Sequence, residues 1–528
     1  MGKTTGSERR CRVMSGGGAA GCRQLAGAMR GIANPNDNDS HFRWRRSPRR
    51  AAASRADTLF VKRCSKDTLL ERAGARRFGI LRHTAWMSAP PSPDSTPLHR
   101  LLRRAVDVQP SEVRATLLGF GWFFCLLGGY YLLRPLRDAL GLAGGPDELQ
   151  WLFTGTFFAM LALVPAFGTL VSRLPPRRFV PLAYRFFTAS ILVFCVLIAA
   201  DLKNVWIGRV FFVWISVFNL FVISIFWSVL ADCFSNAQGR RLFGFIAAGG
   251  TVGTFVGPAL AASLVTAFGP VALTLGAALL LEAALQCFDR LYPRGGAAAA
   301  PDPAVGAATA TGDARPIGGS VLAGLALIVR SPYLIGVCGY LLLHTAASTF
   351  LYFEQGRIVA DAFPDTASRT RFFALVDLGV STLTLLLQMF VTGRLMQRFG
   401  VAAALVLLPI ASALAFFAVA LSPTLGVLAA AQALRRAFDY AVARPAREVL
   451  FTVLGREAKY KAKNAIETVV YRGGDAPSGW ISAGLGALGV GFARVAALAI
   501  PLAALWAAVS LWLAREQERR LPARPGRD

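Results

Sequence analysis

Charge is scarce in this chain. Asp, Glu, Lys and Arg make up 16% of its 528 residues, against about 25% in an average soluble domain. That deficit excludes a soluble multi-domain enzyme and a disordered regulator. Histidine is scarcer still, with four in the whole chain. No nucleophile–base set or metal cluster assembles from them, so no cofactor, metal or catalytic residue is expected and a membrane enzyme is disfavoured. The eight cysteines show no CxxC spacing and read as small buried hydrophobes. A GxxxxGK[ST] run is also missing, which excludes a pump driven by hydrolysis at a P-loop.

What the chain has instead is apolar sequence. Hydrophobic residues make up 54% and the mean hydropathy is +0.48, the composition of a multi-pass membrane protein. The net charge of +27 raises a nucleic-acid reading, but its distribution does not support one. Residues 1–86 hold 19 basic and 6 acidic residues. Much of the remaining excess lies in short loops between apolar runs, where membrane topology places it.

The segment 1–86 is rich in Arg, Ala, Gly and Ser and has no apolar period or secretory h-region. Its cluster Arg43, Arg45, Arg46, Arg49 and Arg50 looks like a nucleic-acid patch. Two readings stand: a disordered basic tail, or an upstream extension with the true start at Met87. The second is favoured, because a polar Pro/Ser run and then the first apolar run follow Met87 naturally.

From Ala115 onward, apolar runs of about 20 residues recur, each long enough to span a bilayer. Six are expected over 115–133, 150–171, 179–200, 205–231, 242–267 and 271–288. Six more are expected over 333–353, 372–392, 401–421, 425–450, 465–490 and 494–514. The resulting organisation is an all-α membrane protein of twelve transmembrane helices in two six-helix halves. A cytoplasmic segment 87–114 precedes the first half, 115–290. A Gly/Ala/Pro-rich cytoplasmic linker, 291–330, leads to the second half, 331–515, and a cytoplasmic tail, 516–528. Within the linker, 319–330 is expected to form a short surface helix. Basic residues mark alternate loops: Arg114, then Arg173, Arg177 and Arg178, then Arg240 and Arg241, Arg394 and Arg398, Arg456 with Lys459, Lys461 and Lys463, and finally Arg515, Arg519 and Arg520. The positive-inside rule therefore puts both termini in the cytoplasm.

Charges inside the apolar runs cost about 2.5–3.5 kcal/mol each at the bilayer centre, so each needs a reason. Arg134, Arg137 and Asp138 end the first run, and Arg209 and Asn219 lie in the fourth. The second half adds His344, Asp377, Arg435, Arg436, Asp439, Glu467, Arg472 and Asp475. Arg134 and Asp138 are four apart, as are Arg435 and Asp439, and Arg472 and Asp475 are three apart. On a helix such neighbours share a face, so internal ion pairs are one reading. The other is a polar midplane cavity whose surplus of guanidinium attracts an anion. The candidate substrate-binding residues are Arg134, Arg137, Asp138, Arg209, Asp377, Arg435, Asp439, Arg472 and Asp475. His344 reads more simply as a satisfied core imidazole, and Arg209 as a residue near an interface.

Gly249, Gly253 and Gly257 are spaced by four in the fifth run and form one smooth stripe, with Pro258 beside it. Close helix packing and a gating role are both readings of this stripe. The two halves also share a signal. Gly168-x-Leu170-x-x-Arg173 ends the second run, and Gly393-x-Leu395-x-x-Arg398 ends the eighth.

Six plus six spans around a central linker, with this repeated signal, resemble the major facilitator superfamily. That family's loop between spans two and three carries Gly-x-Leu-x-Asp-Arg. Gly168, Leu170 and Arg173 match it, with Ser172 in the place of the Asp. The Gly253-x-x-x-Gly257-Pro258 run resembles an element of its antiporters. Three further stretches are similar to the ATP/ADP antiporters of plastids and intracellular bacteria: 130–140, the join from Ile225-Phe226-Trp227 to 238–245, and 444–448 with 459–472. Lys459, Lys461 and Lys463 match a Lys-Tyr-Lys-Ala-Lys segment of that family, and Arg137 stands where a substrate-contacting Lys would be. Asp475 reverses the charge of a Gly-Lys-Ser segment implicated in nucleotide binding.

The resemblance implies a multi-pass transporter of a small anionic solute, a nucleotide or other phosphorylated compound, working by alternating access with altered binding residues. It also implies antiport or a coupling ion such as a proton; the charge distribution argues for no nucleic-acid partner. The Arg-heavy, Lys-poor composition points to a bacterial inner membrane. A non-transporting scaffold or sensor on the same fold is the alternative.

Overall fold

In the fifth apolar run, three glycines decide how closely two helices approach. A Cβ on Gly249 would fall onto the carbonyl oxygen of Phe120, one on Gly253 would lie 2.6 Å from the oxygen of Phe124, and one on Gly257 would lie 2.7 Å from that of Gly128. The partner carbonyls are themselves spaced by four, so the two helices run backbone against backbone along a stripe of small residues. These are α1 (Val113–Gly141) and α5 (Asn236–Leu291), the most extensively packed pair in the molecule. The stripe is thus a packing surface.

The computed structural model describes residues 106–201, 204–292, 321–455, 462–463 and 465–521, except the side chains of 166–167, 169–172, 236, 321–325, 467–468 and 472. The expectations for 1–86, for most of the linker and for Lys459 and Lys461 lie outside these residues. The described residues form one unit.

The described residues are helical, without strands. In the first half α2 (Leu149–Arg173), α3 (Pro176–Ala200) and α4 (Val205–Cys233) lie between α1 and α5 in the chain. A short α6 (Val321–Arg330) then precedes α7 (Pro332–Ala362), in agreement with the short helix expected there. After it come α8 (Thr366–Leu387), α9 (Gly393–Leu421), α10 (Leu425–Phe438), α11 (Arg444–Leu450), α12 (Tyr471–Ala487) and α13 (Phe492–Arg520).

Eight stretches among the described residues are long and apolar enough to cross a membrane. Two of them, Ala237–Leu291 and Thr366–Leu421, are 55 and 56 residues long. Each contains a glycine that breaks the helix: Gly269 at φ 76° and Gly400 at φ 75°. Positive φ is where glycine is favoured, so each glycine reverses the chain within one residue. The runs expected at 425–450 and 465–490 are not among the eight, because charged residues interrupt their hydropathy.

Among the described residues three π-helical turns occur, at Gln388–Thr392 joining α8 to α9, Asp439–Ala443 joining α10 to α11, and Ile466–Val470 entering α12. Each inserts one residue into the helical ladder and rotates everything beyond it.

Apolar packing falls into three clusters. One fills the first half around Trp122, Phe226 and Phe288, with the Trp122 indole N–H donating to Tyr184 Oη at 3.1 Å. One fills the second half around Tyr340, Trp506 and Leu513. The third joins the halves. Ala139, Leu142, Leu149 and Phe212 pack with Leu351, Phe353, Val359 and Phe373. Large apolar side chains such as Phe158, Phe186, Leu279 and Met389 point outward, as expected of a surface facing lipid.

Gly253→Ala is expected to lower thermal stability in detergent by about 1–3 kcal/mol, since backbone atoms must move to admit the methyl group. Gly168 has nothing within 4 Å of an added Cβ, so Gly168→Ala is expected to melt within about 1 kcal/mol of the wild type. Equal melting of the two variants would show that the stripe does not set the α1–α5 contact.

Candidate functional site

A cavity of about 830 Å³ lies between the two halves. Its lining comes from α1, α2, α4 and α5 on one side and from α7, α8, α10, α11 and α12 on the other. At one end the third apolar cluster closes it. There Arg357 approaches Asp147 across the halves at 3.6 Å, and the Trp480 indole donates to Thr154 Oγ1 at 3.0 Å. The lining continues away from that end, through Phe123, Leu127, Ala247, Gln388 and Arg447.

The charged residues singled out in the sequence gather here, but not in the expected pairs. Arg134 does not take Asp138, four residues on. Its Nε lies 3.7 Å from Asp377 Oδ2 on α8, and the other Asp377 oxygen accepts from Arg436 Nη2 on α10 at 2.6 Å. Asp377 is 3% exposed at the side chain. One buried carboxylate therefore holds a guanidinium from each half. Asp138 is held by its neighbour Arg137, whose Nη2 and Nε donate to Oδ1 at 2.6 and 2.9 Å. The Tyr352 hydroxyl on α7 donates to the same oxygen at 3.0 Å. Arg137 also reaches Ser216 Oγ at 3.4 Å and lies 4.6 Å over the Phe212 ring. The two inter-half links thus start from adjacent turns of α1.

Arg435 and Asp439 also form no ion pair, although the helix between them is regular, with the Asp439 N–H donating to the Arg435 carbonyl. The π turn begins at Asp439 and lies beyond it. Asp439 instead approaches Arg444 Nε at 3.6 Å, five residues on, which is the π spacing. Its other oxygen is 3.8 Å from His344 Nε2. Arg435 is left with Ser348 Oγ at 3.3 Å. Asp475 Oδ1 accepts from Thr349 Oγ1 at 3.4 Å. The side chain of Arg472 is outside the described residues.

Arg209 stands away from the cavity lining, paired with Glu148 and 4.7 Å over the Trp206 ring. Gly249, Gly253 and Gly257 face α1, as described, and Pro258 follows them on α5. Gly168 and Gly393 have open space where a Cβ would sit. Arg173 is exposed, and Arg398 lies 5.5 Å from the Phe399 ring centre.

Sequence reasoning left several lining residues off the candidate set: Arg436, Arg444, Arg447, Tyr352, Tyr440, Ser216, Gln355, Gln388 and Gln432. Arg436 and the three glutamines were findable as polar residues in otherwise apolar runs. Gln432 Nε2 donates to Gln355 Oε1 at 2.5 Å. Tyr352 and Tyr440 carry no such signal, because tyrosine is common in apolar spans. The cavity wall therefore carries six arginines against four aspartates, flanked by aromatic rings. Such a wall is suited to holding an anion through charge-assisted hydrogen bonds and to covering its body with ring faces.

A sequence model described as Major Facilitator Superfamily matches residues 115–427. No curated protein sequence matches the chain. Among solved structures, an inward-facing bacterial homologue of the iron transporter ferroportin is similar at TM-score 0.55 and 11% identity. The similarity covers 77% of this chain and 100% of that one. The POT family transporter PepTSo is similar at 0.54 and 14%, over 78% of this chain and 99% of its own. A POT family transporter in complex with a thioalcohol-conjugated peptide is similar at 0.52 and 10%, over 78% and 97%. At these identities the likeness is one of fold.

Asp377→Asn is expected to cost about 3–5 kcal/mol of stability, because two buried guanidiniums lose their shared anion. Adding Arg134→Gln is expected to cost less than the sum of the two single changes, as for any coupled pair. Strict additivity in a double-mutant cycle of melting would sever the proposed bridge.

Proposed function

Because the chain belongs to the Major Facilitator Superfamily, we propose that it is a secondary transporter carrying a small anionic solute across a membrane. The observation that carries this reading is the arginine-rich cavity, built equally from both halves and containing the inter-half links. In alternating access, two halves rock about a central site. Here the links from α1 to Asp377 and to Tyr352 sit at that site, so an anion entering the cavity competes directly with the contacts that join the halves. A ligand shifts such an equilibrium only through differential contacts in the two states, and this arrangement supplies them.

In the fuller form of the proposal the chain has twelve spans. The breaks at Gly269 and Gly400 divide two long stretches, and the charged, π-turned runs at 425–450 and 465–490 cross as well. Both termini then lie in the cytoplasm, and the cavity is closed toward the other side. A bacterial inner membrane is the proposed location, and a counter-substrate or a proton the driving partner. Within the anionic class, the resemblance to nucleotide exchangers makes a nucleotide or another phosphorylated solute the narrower proposal. Arg137 and Lys463 carry it among the described residues. Lys463 is partly buried and bound to Glu448 at 2.7 Å.

The test is flux in liposomes. Purified protein is expected to take up a labelled anion saturably, with labelled ADP against internal ATP assayed first and phosphorylated and carboxylated solutes next. Arg137→Ala is expected to reduce uptake about 10- to 100-fold, the size of one lost hydrogen bond to a charged group. Uptake of only neutral or cationic solutes would overturn the anionic reading. Absence of ADP exchange alongside flux of another anion would remove only the nucleotide form.

A further inference from the structure

Most arginines of the cavity wall already have their anions. Arg134 and Arg436 share Asp377, Arg137 holds Asp138, and Arg444 approaches Asp439. Arg435 differs. It is buried at 3% exposure, yet among the described residues it has no ion-pair partner. Its Nη2 donates only to the neutral hydroxyl of Ser348, and its Nε has no hydrogen-bond partner at all. Asp439, one regular helical turn on, lies against His344 and Arg444 instead.

An unpaired guanidinium in an apolar interior is strongly unfavourable, and intramembrane charges without partners mark solute pathways. A π turn begins four residues beyond Arg435, and π turns concentrate at functional sites. Resting on the reading of the cavity as the solute site, we propose that Arg435 is the anchor for the solute's oxyanion, a carboxylate or phosphate taken by its planar fork. Ser348 orients the guanidinium. Tyr352, Phe373 and Tyr440 line the wall that covers the body of the solute. The anion supplies the direct ion pair that Arg435 lacks among the described residues. Arg447 also lines the cavity without an ion pair among the described residues, but it is only partly buried.

The experiment is thermal melting of the purified full-length protein, titrated with inorganic phosphate, phenyl phosphate and benzoate. The wild type is expected to be stabilised saturably by the phosphates, by benzoate, or by both; that difference tells a phosphate from a carboxylate anchor. Phenyl phosphate acting at lower concentration than phosphate would add the aromatic wall to the site. Arg435→Gln is expected to abolish the response, while Arg209→Gln, away from the cavity lining, keeps it within about twofold. Should Arg435→Gln fail to fold, Arg435→Lys keeps the charge without the fork and is expected to raise half-saturation about tenfold. An undiminished response in the Arg435 variants would overturn the anchor and leave the anionic-solute proposal standing. A wild type that no oxyanion stabilises would overturn both.

Discussion

The architecture turns on one buried carboxylate. Asp377 accepts a guanidinium from the first half through Arg134 and one from the second through Arg436. In a medium that solvates ions poorly, neither arginine is stable alone, and the aspartate between them makes both tolerable. The same atoms are therefore a structural joint between the halves and a site that another anion can contest. The second link, from Asp138 to Tyr352, is weaker and neutral on one side, so it orients the halves rather than locking them. A transporter needs this combination. The halves must be held in register at the site, yet held by contacts that solute can replace.

Rigidity is supplied elsewhere. The Gly249–Gly253–Gly257 stripe brings α5 onto the backbone of α1, which fixes the helix bearing Arg134, Arg137 and Asp138 to its own half. The apolar cluster joining Leu142 and Leu149 to Phe353 and Val359 closes one end of the cavity. The π turns fall in the second half, within or beside the helices that carry Asp377, Arg435 and Asp475. That half thus holds the π turns, and the first half holds the tightly packed stripe.

Much of this was legible in the sequence. Apolar runs of membrane length, the four-residue glycine spacing and the presence of charges inside the runs all follow from period and composition. Asp377, Arg435 and Asp439 were recognised as unusual because nothing apolar explains them. The partnerships were not legible. Arg134 and Asp138 have the spacing of a helical pair, yet each finds a stronger partner: Asp377 from another helix, and Arg137 next door in the chain. Arg435 and Asp439 keep their helical spacing, but the π turn beyond Asp439 brings Arg444 to its carboxylate, and His344 lies at its other oxygen. Helix number was blurred in the same way. Single glycines at 269 and 400 turn the chain without leaving the polar loop that marks a boundary.

The central claim is that the halves move about this site when an anion occupies it. It is tested most directly by spin-label distances between the halves in nanodiscs. Exposed positions at the closed end, Val196 and Leu421, and at the opposite end, Arg178 and Phe399, suit the labels. The account predicts that a transported anion lengthens the first distance and shortens the second. Bound anion with both distances unchanged, in protein that carries the same anion across liposomes, would contradict it.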